Sequence, residues 1–250
     1  MATITDNAVC IRRWDFSETS QTVSLLTREH GVLRGLAKGA KRPKGAFSGG
    51  IELLTRGHVG AIVKPTRELA TLTEWRLEEL FPAVRTNLRA NRAAFYLIDL
   101  VHHMITAHDP HPDVFDALVD ALRGMAQPGE MNTAMLRFQW LLLKSTGYSP
   151  QLAHDAETGR PLTDDQRVLA FHPDAGGMVA DTGDGDRWRV RRQTVIVLQR
   201  LAAGEALDAD TKDIQRANRL LATYFRHLMG MDLPTMTTAF GEEVSKRSSD

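Results

Sequence analysis

Eleven residues, Arg34-Gly-Leu-Ala-Lys38-Gly-Ala-Lys41-Arg42-Pro-Lys44, hold five cations and no acid, in a chain of 250 residues with 31 basic and 31 acidic side chains. Cations at this density suit phosphate. Arg34, Lys38, Lys41, Arg42 and Lys44 could track a nucleic-acid backbone without reading bases, while Gly35, Gly39 and Gly45 let the chain approach it closely. Val32 to Ala37 is strand-like, and Pro43 and Gly45 forbid helix, so the cations ride on a strand end and a turn. Lys38-Gly39-Ala40-Lys41 lacks the G-x-x-x-x-G-K-[ST] spacing of a nucleotide-binding loop, so nucleotide hydrolysis is not implied.

Other chemistry is weakly indicated. Asp99 and His103 stand four apart on an expected helix and share a face; with His102, His108 and His111 they could begin a metal-dependent hydrolase site. No second ligand motif such as H-E-x-x-H accompanies them, and a polar flank opposite Ile98, Val101 and Ile105 explains them better. Asp181 to Asp186 lacks the alternating spacing and terminal Glu of a calcium loop. No G-x-S-x-G elbow occurs. The expectation is a protein that is not an enzyme and needs no cofactor.

The elements that position the cations are strands. Val9 and Ile11 alternate, Val23 to Thr27 is β-rich, Arg28 to Gly31 is a turn with Gly31 at the φ > 0 position, and Val32 to Lys38 follows as the second arm of a hairpin. His58 to Lys64 and Glu68 to Trp75, joined by Pro65-Thr66-Arg67, bring the total to about five strands, the count of a small closed barrel of the OB type. Trp14, Phe16 and Phe47 lie near the cations in sequence and could stack on bases or fill the barrel. Of Arg12 and Arg13, neighbours on a strand, only one can face outward with such a groove.

From Pro82 the period becomes helical. Asn87 to His108 and Val114 to Met125 carry apolar stripes on either side of Asp109-Pro-His-Pro112, and Glu130 to Thr146 reads as a central helix closed by Gly147. Tyr148 to about Arg189 is irregular, with short strands only at Val168–Phe171 and Gly177–Ala180. Helix returns from Gln193 to Gly204, then from an Asp210 or Thr211 cap to Gly230. The last ten residues are polar and read as frayed. The fold class expected is α+β in two parts: an OB-fold barrel over 1–80, and a helical domain over 81–250 with an irregular subdomain at about 148–190.

Charge follows the same division: residues 1–67 hold 11 basic and 5 acidic side chains, and the rest hold 20 and 26. A basic front suits a polyanion, and an acidic back suits proteins. The single cysteine, Cys10, cannot form an internal disulfide, and no apolar run approaches the roughly 20 residues of a membrane helix. A cytoplasmic, unprocessed protein with no membrane role is expected.

Several motifs resemble the RecO family of bacterial recombination mediators. They are Phe16-Ser-Glu18-Thr-Ser20, Leu26-Thr27-Arg28-Glu29-His30-Gly31 and Ala37-Lys38-Gly39-Ala40-Lys41, then Leu136-Arg137-Phe138, Thr146-Gly147-Tyr148, Ala175-Gly-Gly177, Ala217 to Tyr224 and His227 to Gly230. The resemblance spans nearly the whole chain. It implies an OB fold followed by a helical domain, binding of single- and double-stranded DNA, and annealing of complementary strands. It also implies work with RecR and single-strand-binding protein to load RecA during gap and break repair. In that family the acidic, apolar tail of single-strand-binding protein docks on the helical domain, and Arg137 stands at the matching position. An adapter that mainly holds proteins, or a metal-dependent DNA-processing enzyme, is the alternative.

Two departures from the family pattern matter. Many RecO members carry two C-x-x-C pairs before the last helices, a strong zinc signature. Here Asp155-Ala-Glu-Thr158 and Ala180-Asp-Thr-Gly183 occupy those places, so the subdomain is expected to hold without zinc. A hard-ligand site from His154, Asp155, His172 and Asp181 is the alternative. The family's Leu-Gln-Pro-Phe after the basic loop is replaced by Ile51-Glu-Leu-Leu54.

Overall fold

β1 (Ala2–Asp15) is long enough to pair with two partners, and that length closes a barrel. Its first half runs antiparallel to β4 (Arg56–Val63), and its second half runs antiparallel to β2 (Gln21–Thr27). β3 (Gly31–Ala37) continues the hairpin, and β5 (Ala70–Glu79) pairs with both β3 and β4, giving the order β1-β2-β3-β5-β4. This computed structural model describes residues 1–47, 49–64, 66–162 and 168–241. Pro65 of the expected turn and the tail from residue 242 lie outside the described residues.

Alternation places Ala8, Cys10, Val23, Leu25, Leu33 and Trp75 inside the barrel, where each apolar side chain of Val or Leu size contributes about 1.5–3 kcal/mol. Trp75 fills so much of the interior that a Cβ at Gly57 would stand 2.7 Å from its ring. Burial lifts the Cys10 thiol to about 12. The register slips between Cys10 and Arg12, a bulge that leaves Ile11 unpaired and reverses the alternation beyond it.

Three helices pack with the barrel in the unit Met1–Met131: α1 (Pro82–Thr86), α2 (Leu88–Met104) and α3 (Pro112–Gly124). The strand-to-helix change falls between Glu79 and Pro82. Asn87 caps α2 by accepting from the N–H groups of Arg89 and Ala90 at 2.9 and 3.2 Å. α2 stops at Met104, short of the expected His108, because the next residues return to β3. Ala107 bridges Val32, and a Cβ at Gly31, φ +69°, would meet the Asp109 carbonyl oxygen at 2.4 Å. The Leu26–Gly31 motif fastens this arrangement. Arg28 donates to both Asp116 oxygens on α3 at 3.0 and 2.8 Å, and buried Asp6 accepts from the Glu29 N–H at 2.8 Å and meets His30 Nδ1 at 2.8 Å.

The second unit, Asn132–Asp250, is built on α4 (Met131–Ser145) and α6 (Thr211–Met229). Buried Gln139 donates to Asn218 Oδ1 at 2.6 Å, and Asn218 Nδ2 donates to the Asn132 and Ile214 carbonyls at 2.8 and 3.1 Å, so the polar pair inside is satisfied. Between these helices β6 (Val168–His172) is the middle strand of a sheet with β7 (Gly177–Val179) and β8 (Trp188–Arg191), and α5 (Arg192–Ala202) follows directly. α7 (Pro234–Phe240) ends the described chain. β6 and β7 are the two expected short strands. β8 falls at the end of the stretch expected to be irregular, since Trp-Arg-Val-Arg shows little apolar alternation and becomes a strand only by pairing with β6.

Candidate nucleic-acid interface

The basic segment leaves β3 and becomes a loop held at both ends by the barrel. At its start the Gly39 N–H donates to Ser20 Oγ at 3.1 Å and the Lys41 N–H to the Thr19 carbonyl at 3.0 Å, both on the β1–β2 turn. At its far side the Trp75 N–H donates to the Ala46 carbonyl at 2.9 Å, and Ala40 and Phe47 insert into the barrel core. The apolar members of the loop thus face inward and force the charged ones out. Gly39 has φ +68°, and Arg42 lies across it, 3.4 Å from where a Cβ would stand.

The five cations then separate into two kinds. Arg34, on β3, pairs with Glu68, and Lys41 Nζ lies 2.8 Å from Asp15 Oδ1, whose carboxyl the Lys41 hydrogen bond holds below the ordinary range. Lys38, Arg42 and Lys44 are exposed, and among the described residues no carboxylate pairs with them. These three carry uncompensated charge on one anchored loop, which suits a polyanion. Lys41 and Arg34 can join only by giving up their partners.

Of the three aromatics, Phe47 is buried, whereas Trp14 is 45% exposed and Phe16 is 62% exposed. Arg12 turns back to pair with Asp99 on α2, and Arg13 Nη1 meets Glu52 Oε1 at 2.5 Å. Neither extends the free basic surface. The Asp99 that a histidine metal site would need is therefore paired with Arg12, and His103 Nε2 lies 3.8 Å from it. Burial, then the charges of Arg12, His103 and Arg34, push His102 down to about 4, leaving it neutral at neutral pH. The Ile51–Leu54 segment that departs from the family pattern seals the barrel mouth: Ile51 and Leu54 are buried, and the Leu54 N–H donates to the Cys10 carbonyl at 2.9 Å.

In the second unit, the two loops lacking cysteines are joined by Asp155. Its Oδ1 accepts from the Glu157 N–H at 3.1 Å, the Thr158 N–H at 2.8 Å and the Thr158 hydroxyl at 2.9 Å. Its Oδ2 accepts from the Ala180 N–H at 2.9 Å. Burial raises the Asp155 pKa, but the hydrogen bonds together outweigh it and hold the carboxyl below its ordinary range. The other hard-ligand candidates have separate partners: His172 Nδ1 lies 2.8 Å from Glu157, and Asp181 pairs with Arg189 at 3.0 Å. His154 is exposed. The donor set does not fit zinc, having no thiolate and no convergent imidazoles. Among the described residues no group of three or more His, Cys, Asp or Glu is arranged to hold a metal ion.

Arg137 lies on the exposed side of α4, between buried Leu136 and Phe138. Half-buried Trp140 and Leu141, three and four residues on, share its face, so a cation stands beside apolar side chains. Residues that sequence reading missed are the fasteners Asp15, Thr19, Ser20 and Glu68. Their partners lie far away in sequence, and only the motif Phe16 to Ser20 hinted at them.

Comparison with known proteins covers both units. The profile of Recombination protein O N terminal matches residues 1–81, and that of Recombination protein O C terminal matches residues 85–237. A DNA repair protein RecO from Rhodopirellula baltica is 29% identical over 240 residues, covering 95% of this chain and 89% of the relative. One from Idiomarina loihiensis is 30% identical over 205 residues, covering 80% and 83%. One from Methylococcus capsulatus is 31% identical over 177 residues, covering 70% of each.

Proposed function

The chain belongs to the RecO family, with a role in DNA repair, and from that premise we propose that it is a DNA-binding recombination mediator. It binds single- and double-stranded DNA through phosphates, anneals complementary strands and, with RecR, helps load RecA onto single-stranded DNA coated by single-strand-binding protein. The observation that carries this reading is the anchored loop with Lys38, Arg42 and Lys44 exposed and, among the described residues, paired with no carboxylate. Annealing needs two strands with their charge neutralised and their bases free to pair, which calls for electrostatics and no bond-making group. The protein on this reading is no enzyme, and it works in the bacterial cytoplasm at the nucleoid during repair. Among the described residues no helix is long and apolar enough to cross a membrane.

A protein-holding role for the second unit rests on Arg137. Its guanidinium beside Trp140 and Leu141 offers a cation and apolar walls to the acidic, apolar tail of single-strand-binding protein. Strand annealing measured on bare and on coated DNA tests both parts. Reversing Lys38, Arg42 and Lys44 to Glu should abolish annealing on both substrates, whereas Arg137→Ala should impair only the coated one. Full annealing by the triple variant sinks the loop's role, and unimpaired annealing of coated DNA by Arg137→Ala sinks the docking role.

A further inference from the structure

The outer surface of β1, β2 and β3 is covered in graded rows. Pairing sets Val9, Leu26 and Val32 side by side, then Arg12, Ser24 and Arg34, then Trp14, Thr22 and Leu36, with Leu36 in turn beside Thr71 of β5. The first row is buried, at 0%, 0% and 5% exposure, where α2 and α3 lie on the barrel. In the second, Arg12 is half-buried in its pair with Asp99 of α2, Ser24 is buried and Arg34 is exposed. The third is open: Trp14 is 45% exposed, and Thr22, Leu36 and Thr71 are half-buried. A tryptophan so exposed is unusual in a protein with room for Trp75 inside.

Cations frame that open row. Arg34 stands two residues before Leu36 on the same face of β3, roughly 7 Å away by the rise of a strand and paired with Glu68, and exposed Lys38 is the first residue beyond the strand. Beyond Lys38 the loop carrying Arg42 and Lys44 is tied to the turn that follows Trp14, through Thr19 and Ser20. Phe16, 62% exposed, sits on that turn. Apolar flat surface bordered by cations is complementary to a strand whose bases are unpaired: rings meet base faces and cations meet phosphates. In a duplex the base faces are already stacked on each other, so the rings gain nothing there.

We propose that Trp14, with Leu36 beside it, is the platform on which this protein receives unpaired bases, and that it sets the preference for single strands over duplex. The proposal rests on the DNA-binding reading above and adds to it a source of discrimination that phosphate contacts cannot give. Binding of full-length protein to a deoxythymidine oligomer, to an abasic oligomer of equal length and to a duplex, followed by anisotropy, tests it. Trp14→Ala should weaken the thymidine oligomer roughly 5-fold or more, leave the abasic oligomer and the duplex within about 2-fold, and be largely rescued by Trp14→Phe. Tryptophan emission should be quenched by the thymidine oligomer in the wild type and not in Trp14→Phe. If Trp14→Ala binds all three DNAs like the wild type, or weakens them equally, the platform is wrong while the phosphate reading stands. If the wild type binds none of them, both fall.

Discussion

At the scale of single residues, Asp155 bears the most structure for its size. One carboxylate accepts four hydrogen bonds and ties the 155–158 turn to Ala180, holding together the two loops where the family resemblance would lead one to expect cysteine pairs. Asp155→Asn keeps one acceptor and loses the charge, which should cost about 2 kcal/mol at neutral pH. The folded-state pKa lies below the unfolded one of about 3.9. The contribution is therefore complete above the unfolded value and is lost as the pH falls through the lower folded one. Melting of the second unit, followed by emission of Trp188 stacked on Phe171, should show a gap between wild type and variant at pH 7 that narrows as the pH falls below about 3.9. A gap of the same size above and below that pH would mean the charge is not what holds the turn. The lack of cysteines in both loops was legible in the sequence. The bond from Ala180 that joins the loops was not, because Ala180 lies 25 residues away.

At the scale of elements, the barrel could be anticipated because its signals are local: Gly31 marks the hairpin, and Val, Ile and Leu alternate along short runs. What escaped was the bulge at Ile11, which changes which side chains of β1 face out, and β8, whose strand conformation comes from its neighbour. Ion pairs were equally hidden. Arg34 with Glu68 and Lys41 with Asp15 join residues far apart in sequence, so a cluster of five like cations concealed a division into paired and unpaired members. Cys10 offers a probe of the barrel itself. Buried at 0% exposure with its thiol lifted to about 12, it should react with a thiol reagent only when the barrel opens. Native protein should show no reactive thiol over an hour and denatured protein one. Rapid labelling of native protein would mean the strands around Cys10 open freely.

At the scale of the whole molecule, a chain with equal numbers of acids and bases divides its charge by sequence, 11 against 5 over residues 1–67 and 20 against 26 beyond. The asymmetry was readable from composition, and it agrees with a front that meets DNA and a back that meets proteins. On the proposed reading Lys38, Arg42 and Lys44, which no carboxylate among the described residues pairs with, neutralise DNA phosphates from their anchored loop. The most direct measurement is the slope of log affinity for single-stranded DNA against log salt, for the wild type and for a variant with these three residues changed to Gln. Three phosphates neutralised give a wild-type slope of about −2, or about −3.5 if Arg34 and Lys41 also leave their partners for phosphate. In the triple variant the slope should become shallower by about 2. An unchanged slope in that variant would place the DNA on another surface and contradict the account.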